Sequence, residues 1–117
     1  MRFELILLAL VLLLTSCGRH EATLSRQLVG TWTRDDFSTM TIGPNGSYSF
    51  TVRRPNQTNV FAGTWRIKGD VFIMTITNAP VIRGRSFVGS TERYSILMAH
   101  DHQLICAESG QSFTLNR

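Results

Sequence analysis

The sequence predicts an all-β fold, an antiparallel eight-stranded meander that closes on itself into a small barrel. Three observations carry this. From Gln27 onward, short runs of alternating apolar and polar residues are separated by turn signals, with no sustained helical period. The alternation leaves one face dry and one wet. Tyr48, Phe50 and Val52 oppose Ser49, Thr51 and Arg53, while Phe61, Gly63, Trp65 and Ile67 oppose Ala62, Thr64, Arg66 and Lys68. That pattern belongs to antiparallel sheets, since parallel ones are buried on both faces. Finally, most links are too short for crossovers, so consecutive strands pair and closure removes the edges.

In chain order the strands are read at 27–34, 38–43, 47–53, 60–68, 71–78, 91–99, 103–108 and 111–116. Pro44-Asn45-Gly46 turns the chain with a glycine available for positive φ. Pro55 to Asn59 forms a longer turn. Gly69-Asp70 is a two-residue hairpin loop, and His100-Asp101-His102 and Ser109-Gly110 close the last two hairpins. The one long connection runs from Ala79 to Ser90 and contains Pro80, Gly84 and Gly89.

A repeat fixes two registers. Gly30-Thr31-Trp32 recurs as Gly63-Thr64-Trp65, and Met40-Thr41-Ile42 recurs as Met74-Thr75-Ile76. Pairing Trp32 with Met40 sets Gly30 against Ile42 and leaves Asp35, Asp36 and Phe37 as the loop. Pairing Trp65 with Met74 sets Gly63 against Ile76 and leaves Gly69 and Asp70. Both copies become one hairpin, with each tryptophan facing a methionine on the inner side and each glycine clearing space two residues earlier.

Before this domain lies an apolar run from Leu5 to Leu14, ten residues long, short of the ~18 expected of a membrane span. It ends in Leu14-Thr15-Ser16-Cys17, which resembles the lipobox of bacterial lipoprotein signal peptides. The resemblance implies removal of residues 1–16 and lipidation of Cys17. Gly18 to Arg26 is polar and reads as a short tether with room for one helical turn, so the tether spans 17–26 and the barrel domain 27–117. The resemblance also implies attachment to a membrane in the bacterial envelope. By the same resemblance, Gly18 after the cysteine, rather than an aspartate, implies the periplasmic face of the outer membrane in a cell with two membranes. The net charge is +4, carried largely by arginine, whose fork suits phosphate and carboxylate. Outside the cytoplasm, that favours anionic headgroups or polysaccharide over nucleic acid. Lipidation would consume the Cys17 thiol, leaving Cys106 alone in the apolar setting Leu104-Ile105-Cys106-Ala107, where it reads as a small buried hydrophobe.

The Gly30-x-Trp32 motif on the first strand resembles the lipocalin signature. Leu28-Val29-Gly30-Thr31-Trp32 and Gly43-Pro44-Asn45-Gly46 are similar to openings and turns of short bacterial lipocalin-like domains. The resemblance implies that Trp32 packs at the closed end of the barrel beside an arginine of the last strand, for which Arg117 is the match. The chain is shorter than classical lipocalins and lacks their disulfides.

No phosphate loop, serine elbow or placed pair of carboxylates points to catalysis, so a non-enzyme is expected. His100-x-His102 falls short of the three or four ligands that a metal site needs, and no cofactor is expected. Two functions remain. In one, the outer face or loops bind another envelope protein. In the other, the barrel carries a small apolar or lipid-like ligand. The inward residues Trp32, Met40, Tyr48, Phe50, Phe61, Trp65, Met74, Ile96, Met98 and Phe113 are bulky and are expected to fill most of the interior, which favours the interaction domain. If a mouth exists, it should lie opposite Trp32. The Ala79–Ser90 segment would form its lid, with Phe87 as an apolar contact and Arg83 and Arg85 as anion contacts.

Overall fold

The computed structural model describes residues 20–117; Cys17 and the apolar run before it lie outside the described residues. The chain is helical over residues 20–28 (α1) and then forms eight strands. These are β1 (Gly30–Asp35), β2 (Ser38–Ile42), β3 (Ser47–Arg54), β4 (Gln57–Lys68), β5 (Val71–Asn78), β6 (Thr91–Ala99), β7 (Gln103–Glu108) and β8 (Gln111–Asn116). Each strand pairs antiparallel with the next, and β8 returns to β1, so the meander is a closed barrel.

Both hairpins of the repeat have one register. Trp32 faces Met40 and Gly30 faces Ile42; Trp65 faces Met74 and Gly63 faces Ile76. Trp32 is fully buried and donates its indole N–H to the Leu28 carbonyl at 2.8 Å. Trp65 is partly buried and donates to the Gly43 carbonyl at 2.9 Å. The first turn is tighter than the sequence predicts. Asp35 pairs with Ser38 through a bulge, leaving Asp36 and Phe37 at the tip. The Asp35 carboxylate accepts the Phe37 backbone N–H at 2.8 Å, which folds the chain back early and holds the carboxyl below its ordinary pKa.

Two expectations are corrected. The helical turn expected within the tether is a longer helix, over 20–28, packed on the barrel, and the first strand starts at Gly30 rather than at 27. Leu24 and Leu28, four apart, lie on one face of α1 and are buried in the core, so the helix covers one end of the barrel. His20 Nε2 lies 2.6 Å from Asp70 Oδ1, and Glu21 accepts the Gly69 N–H at 2.9 Å, which ties α1 to the β4–β5 turn. Met98 is not inward. The β6–β7 register slips between Ile96 and Met98, and a one-residue slip turns the following side chain to the other face. Leu97 and Met98 are therefore exposed, while Ile96 stays buried.

The two ends of the barrel differ. The α1 end carries the turns at 43–46, 69–70 and 100–102, and its core is dense. Leu28, Trp32, Ile42, Phe72, Leu104, Cys106 and Leu115 are all at most 1–2% exposed there. The other end carries the short turns at 36–37, 55–56 and 109–110 and the long 79–90 connection.

Candidate ligand cavity

Above the dense core the barrel is hollow. A cavity of about 340 Å³ opens toward the 79–90 connection. Its apolar wall comes from inward positions of β2 to β5: Met40, Tyr48, Phe50, Phe61, Met74 and Ile76. Strand alternation places them there: Met40 shares a face with Ile42, Phe50 with Tyr48, Phe61 with Trp65, and Met74 and Ile76 with Phe72. The interior is therefore not filled. The bulky inward residues occupy the α1 half and only line the other half.

Ile82 and Phe87 reach over the mouth from the 79–90 connection. Phe87 packs edge-on against Phe61, with ring centroids 6.2 Å apart, and Phe61 lies 6.4 Å from Phe50. Backbone bonds anchor the base of this connection: Ile76 N–H to the Ser90 carbonyl at 2.9 Å, and Gly89 N–H to the Ile76 carbonyl at 2.7 Å. Arg83 and Arg85 are both exposed beyond Phe87. Arg83 lines a neighbouring open cleft of about 520 Å³, whereas Arg85 lines neither this cleft nor the cavity.

The mouth has a polar side that sequence reasoning missed. Arg34, Glu92, Tyr94 and Glu108 line it from β1, β6 and β7. Tyr94 donates its hydroxyl to Glu92 Oε2 at 3.1 Å, and its ring meets Phe113 edge-on at 5.0 Å. The Arg34 guanidinium lies 4.3 Å from the centre of the Phe113 ring. Burial, reinforced by the Glu92 and Glu108 carboxylates, pushes the Tyr94 phenol well above its ordinary pKa. Burial, with Glu92 adding to it, pushes Tyr48 up to about 12. Both phenols are therefore neutral hydrogen-bond donors at physiological pH.

Trp32 and Arg117 lie together at the α1 end, away from the mouth. The Arg117 guanidinium stacks 4.2 Å from the Trp32 ring centre, donates Nη1–H to the Val29 carbonyl at 2.8 Å and donates Nε–H to the Asp101 carbonyl. Cys106 is buried, and burial raises its thiol to about 11, so it is packing rather than a nucleophile. His100 and His102 sit in the exposed β6–β7 turn, and no group of three or more potential metal ligands converges among the described residues.

No protein-family model matches the chain, and no curated protein sequence is similar to it. Solved structures are similar in fold. A lipocalin-like protein from Bacteroides uniformis superposes with a TM-score of 0.64 at 14% identity, over 78% of this chain and 98% of that one. An uncharacterised protein from Bacteroides eggerthii superposes with a TM-score of 0.61 at 13% identity, over 76% of this chain and 98% of that one. The domain has the fold of a lipocalin-like β-barrel.

Proposed function

We propose that the protein is a non-catalytic binding protein that holds a small, largely apolar ligand inside its barrel. The cavity carries this reading: about 340 Å³, walled by Met and Phe side chains, with a few polar groups at one end. The interaction-domain alternative needed a filled interior, and the hollow half of the barrel weighs against it. Phe87 and Ile82 act as the lid. Native mass spectrometry of the purified protein, after incubation with a bacterial membrane lipid extract, tests the reading. Retained ligand that is lost in Phe50→Trp, which projects extra bulk into the cavity, supports it. A protein that stays empty rejects it.

The lipobox adds a location. In this reading Cys17 is lipidated and the protein is held on the bacterial envelope membrane. His20 and Glu21 tie the start of α1 to the β4–β5 turn, so the anchored chain holds its α1 end toward the bilayer and its mouth away from it. One acyl chain binds only marginally, so stable attachment needs more than one chain. Cys17→Ser should release the protein from the membrane fraction. Retention of that variant with unchanged mass rejects the anchor and leaves the cavity reading untouched.

A further inference from the structure

The cleft beside the mouth has a charge character that the cavity lacks. It lies between the β3–β4 hairpin and the 79–90 connection. Its apolar lining includes Phe61 and Ile82, which also line the cavity, so the two spaces adjoin at these side chains. Among the described residues, the charged side chains lining it are Arg54 and Arg83, with the amides of Gln57 and Asn59 as further polar groups. The carboxylates of Glu92 and Glu108 belong to the cavity wall formed by β6 and β7 and do not line the cleft.

Arg83 is held there at a conformational cost. Arg83 and Gly84 form a two-residue turn with φ of 51° and 74°. Ile82 and Arg85 close it with mutual backbone bonds of 3.0 and 2.9 Å. Positive φ at both central positions is the turn that Asn-Gly fills best, because a long side chain resists the left-handed region. Strain of this kind concentrates where a side chain is wanted for function. An arginine at that apex, lining one partly apolar cleft together with a second arginine, suits a group with several anionic oxygens.

We propose that Arg54 and Arg83 form an anion-selective lip, which takes the carboxylate or phosphate head of an amphipathic ligand whose apolar tail enters the barrel. This rests on the barrel being a ligand carrier. Isothermal titration calorimetry of the purified protein with decanoate, decyl phosphate, 1-decanol and decyltrimethylammonium tests it. Both anions should bind about tenfold more tightly than the alcohol at low salt, as charge-assisted hydrogen bonds would give. The gain should shrink as salt is added. Whichever anion leads identifies the head as carboxylate or phosphate. Arg54→Gln combined with Arg83→Asn should collapse the difference between the anions and 1-decanol. Because asparagine relaxes the turn, Arg83→Asn should also unfold at a higher temperature than the parent, which separates lost recognition from lost folding. Alcohol and anions binding equally, a preference for the cation, or an anion preference that survives the double substitution would each overturn the lip and leave the carrier standing. No binding of any of the four, 1-decanol included, would remove the carrier and the lip together.

Discussion

Gly30 and Gly63 hold the same place in two copies of one hairpin, yet they clear space for different neighbours. A Cβ on Gly30 would meet Arg117 Nη1 at 2.8 Å, whereas a Cβ on Gly63 would meet the Thr75 carbonyl oxygen at 1.8 Å. At Gly30 the guanidinium could shift only by giving up its place over Trp32, and the φ of 144° is itself strained for a side chain; at Gly63 the obstacle is a ladder carbonyl that cannot move. Gly63→Ala should therefore destabilise by about 3 kcal/mol or more, at the upper end of what overpacking costs. Chemical denaturation should show a correspondingly lower midpoint, and an unchanged midpoint would mean that the β4–β5 ladder is looser than drawn. Tyr48 and Tyr94, the chain's two tyrosines, give a second test. Their folded pKa values lie above the ordinary 10.0, so the folded state keeps protons that the unfolded state loses. The stability they contribute is present below pH 10.0 and is lost as pH rises toward about 12. Tyrosinate absorbance of the folded protein should stay flat through pH 10.0, then rise together with unfolding. An ordinary tyrosine titration at pH 10.0 in the folded protein would contradict the burial. The polar residues of the mouth were legible in principle. Arg34 lies two residues beyond Trp32, Glu92 two before Tyr94 and Glu108 two beyond Cys106, each continuing an inward parity at the same barrel end. They went unread because charge at a strand end ordinarily marks solvent, and alternation alone does not say that the interior there is hollow.

Among the elements, the hairpins were the most readable, because turn chemistry and period-two alternation fix the same registers independently. All four strands of the repeat pair as the sequence predicts, and β5 to β8 have the predicted bounds. The elements that escaped are those without a repeating local signal. α1 was legible only as a single turn, because its two buried apolar residues, Leu24 and Leu28, make too short a run for a helical period to register, and it holds its shape through tertiary burial. The β6 slip at Leu97 leaves no sequence mark, since Ile96, Leu97 and Met98 are all apolar. The β7–β8 turn makes a quantitative case. Ser109 and Gly110 have φ of 51° and 80°, the same double positive turn as at Arg83, with a serine where asparagine fits better. Ser109→Asn should stabilise by ~0.5–1 kcal/mol by easing the left-handed strain. In a domain of this size that is a rise of roughly 2–8 °C in melting temperature. A fall would show that the serine has a role the turn geometry does not reveal.

At the scale of the whole molecule, the barrel is solid at the α1 end and hollow at the other, and its closing seam is its thinnest joint. β1 and β8 share one registered pair, Thr33 with Asn116, supported by the Thr33 hydroxyl donating to the Asn116 carbonyl at 3.2 Å. Other neighbouring strands share at least four pairs, so the seam needs help from side chains. It has a stacked arginine toward each end. Arg34 of β1 lies over Phe113 of β8 near the mouth, and Arg117, just past β8, lies over Trp32 of β1 near α1. The Arg117 pair does more, because its fork also bonds the Val29 and Asp101 carbonyls, joining the start of β1 to the β6–β7 turn. A lysine can carry the charge but cannot stack its plane and bond two carbonyls in that fixed geometry. Arg117→Lys should therefore rescue little of the loss in Arg117→Ala, which should reach about 2 kcal/mol from the contact of an exposed guanidinium with the buried Trp32 ring and from two charge-assisted bonds. The loss should also be local. Hydrogen exchange should quicken first at β1 and β8 amides, through opening of the seam, while the β3–β4 and β4–β5 ladders keep their protection relative to the lowered global stability. Full rescue by lysine, or uniform acceleration across the barrel, would show that Arg117 acts through charge or general packing and that the seam is closed by other means.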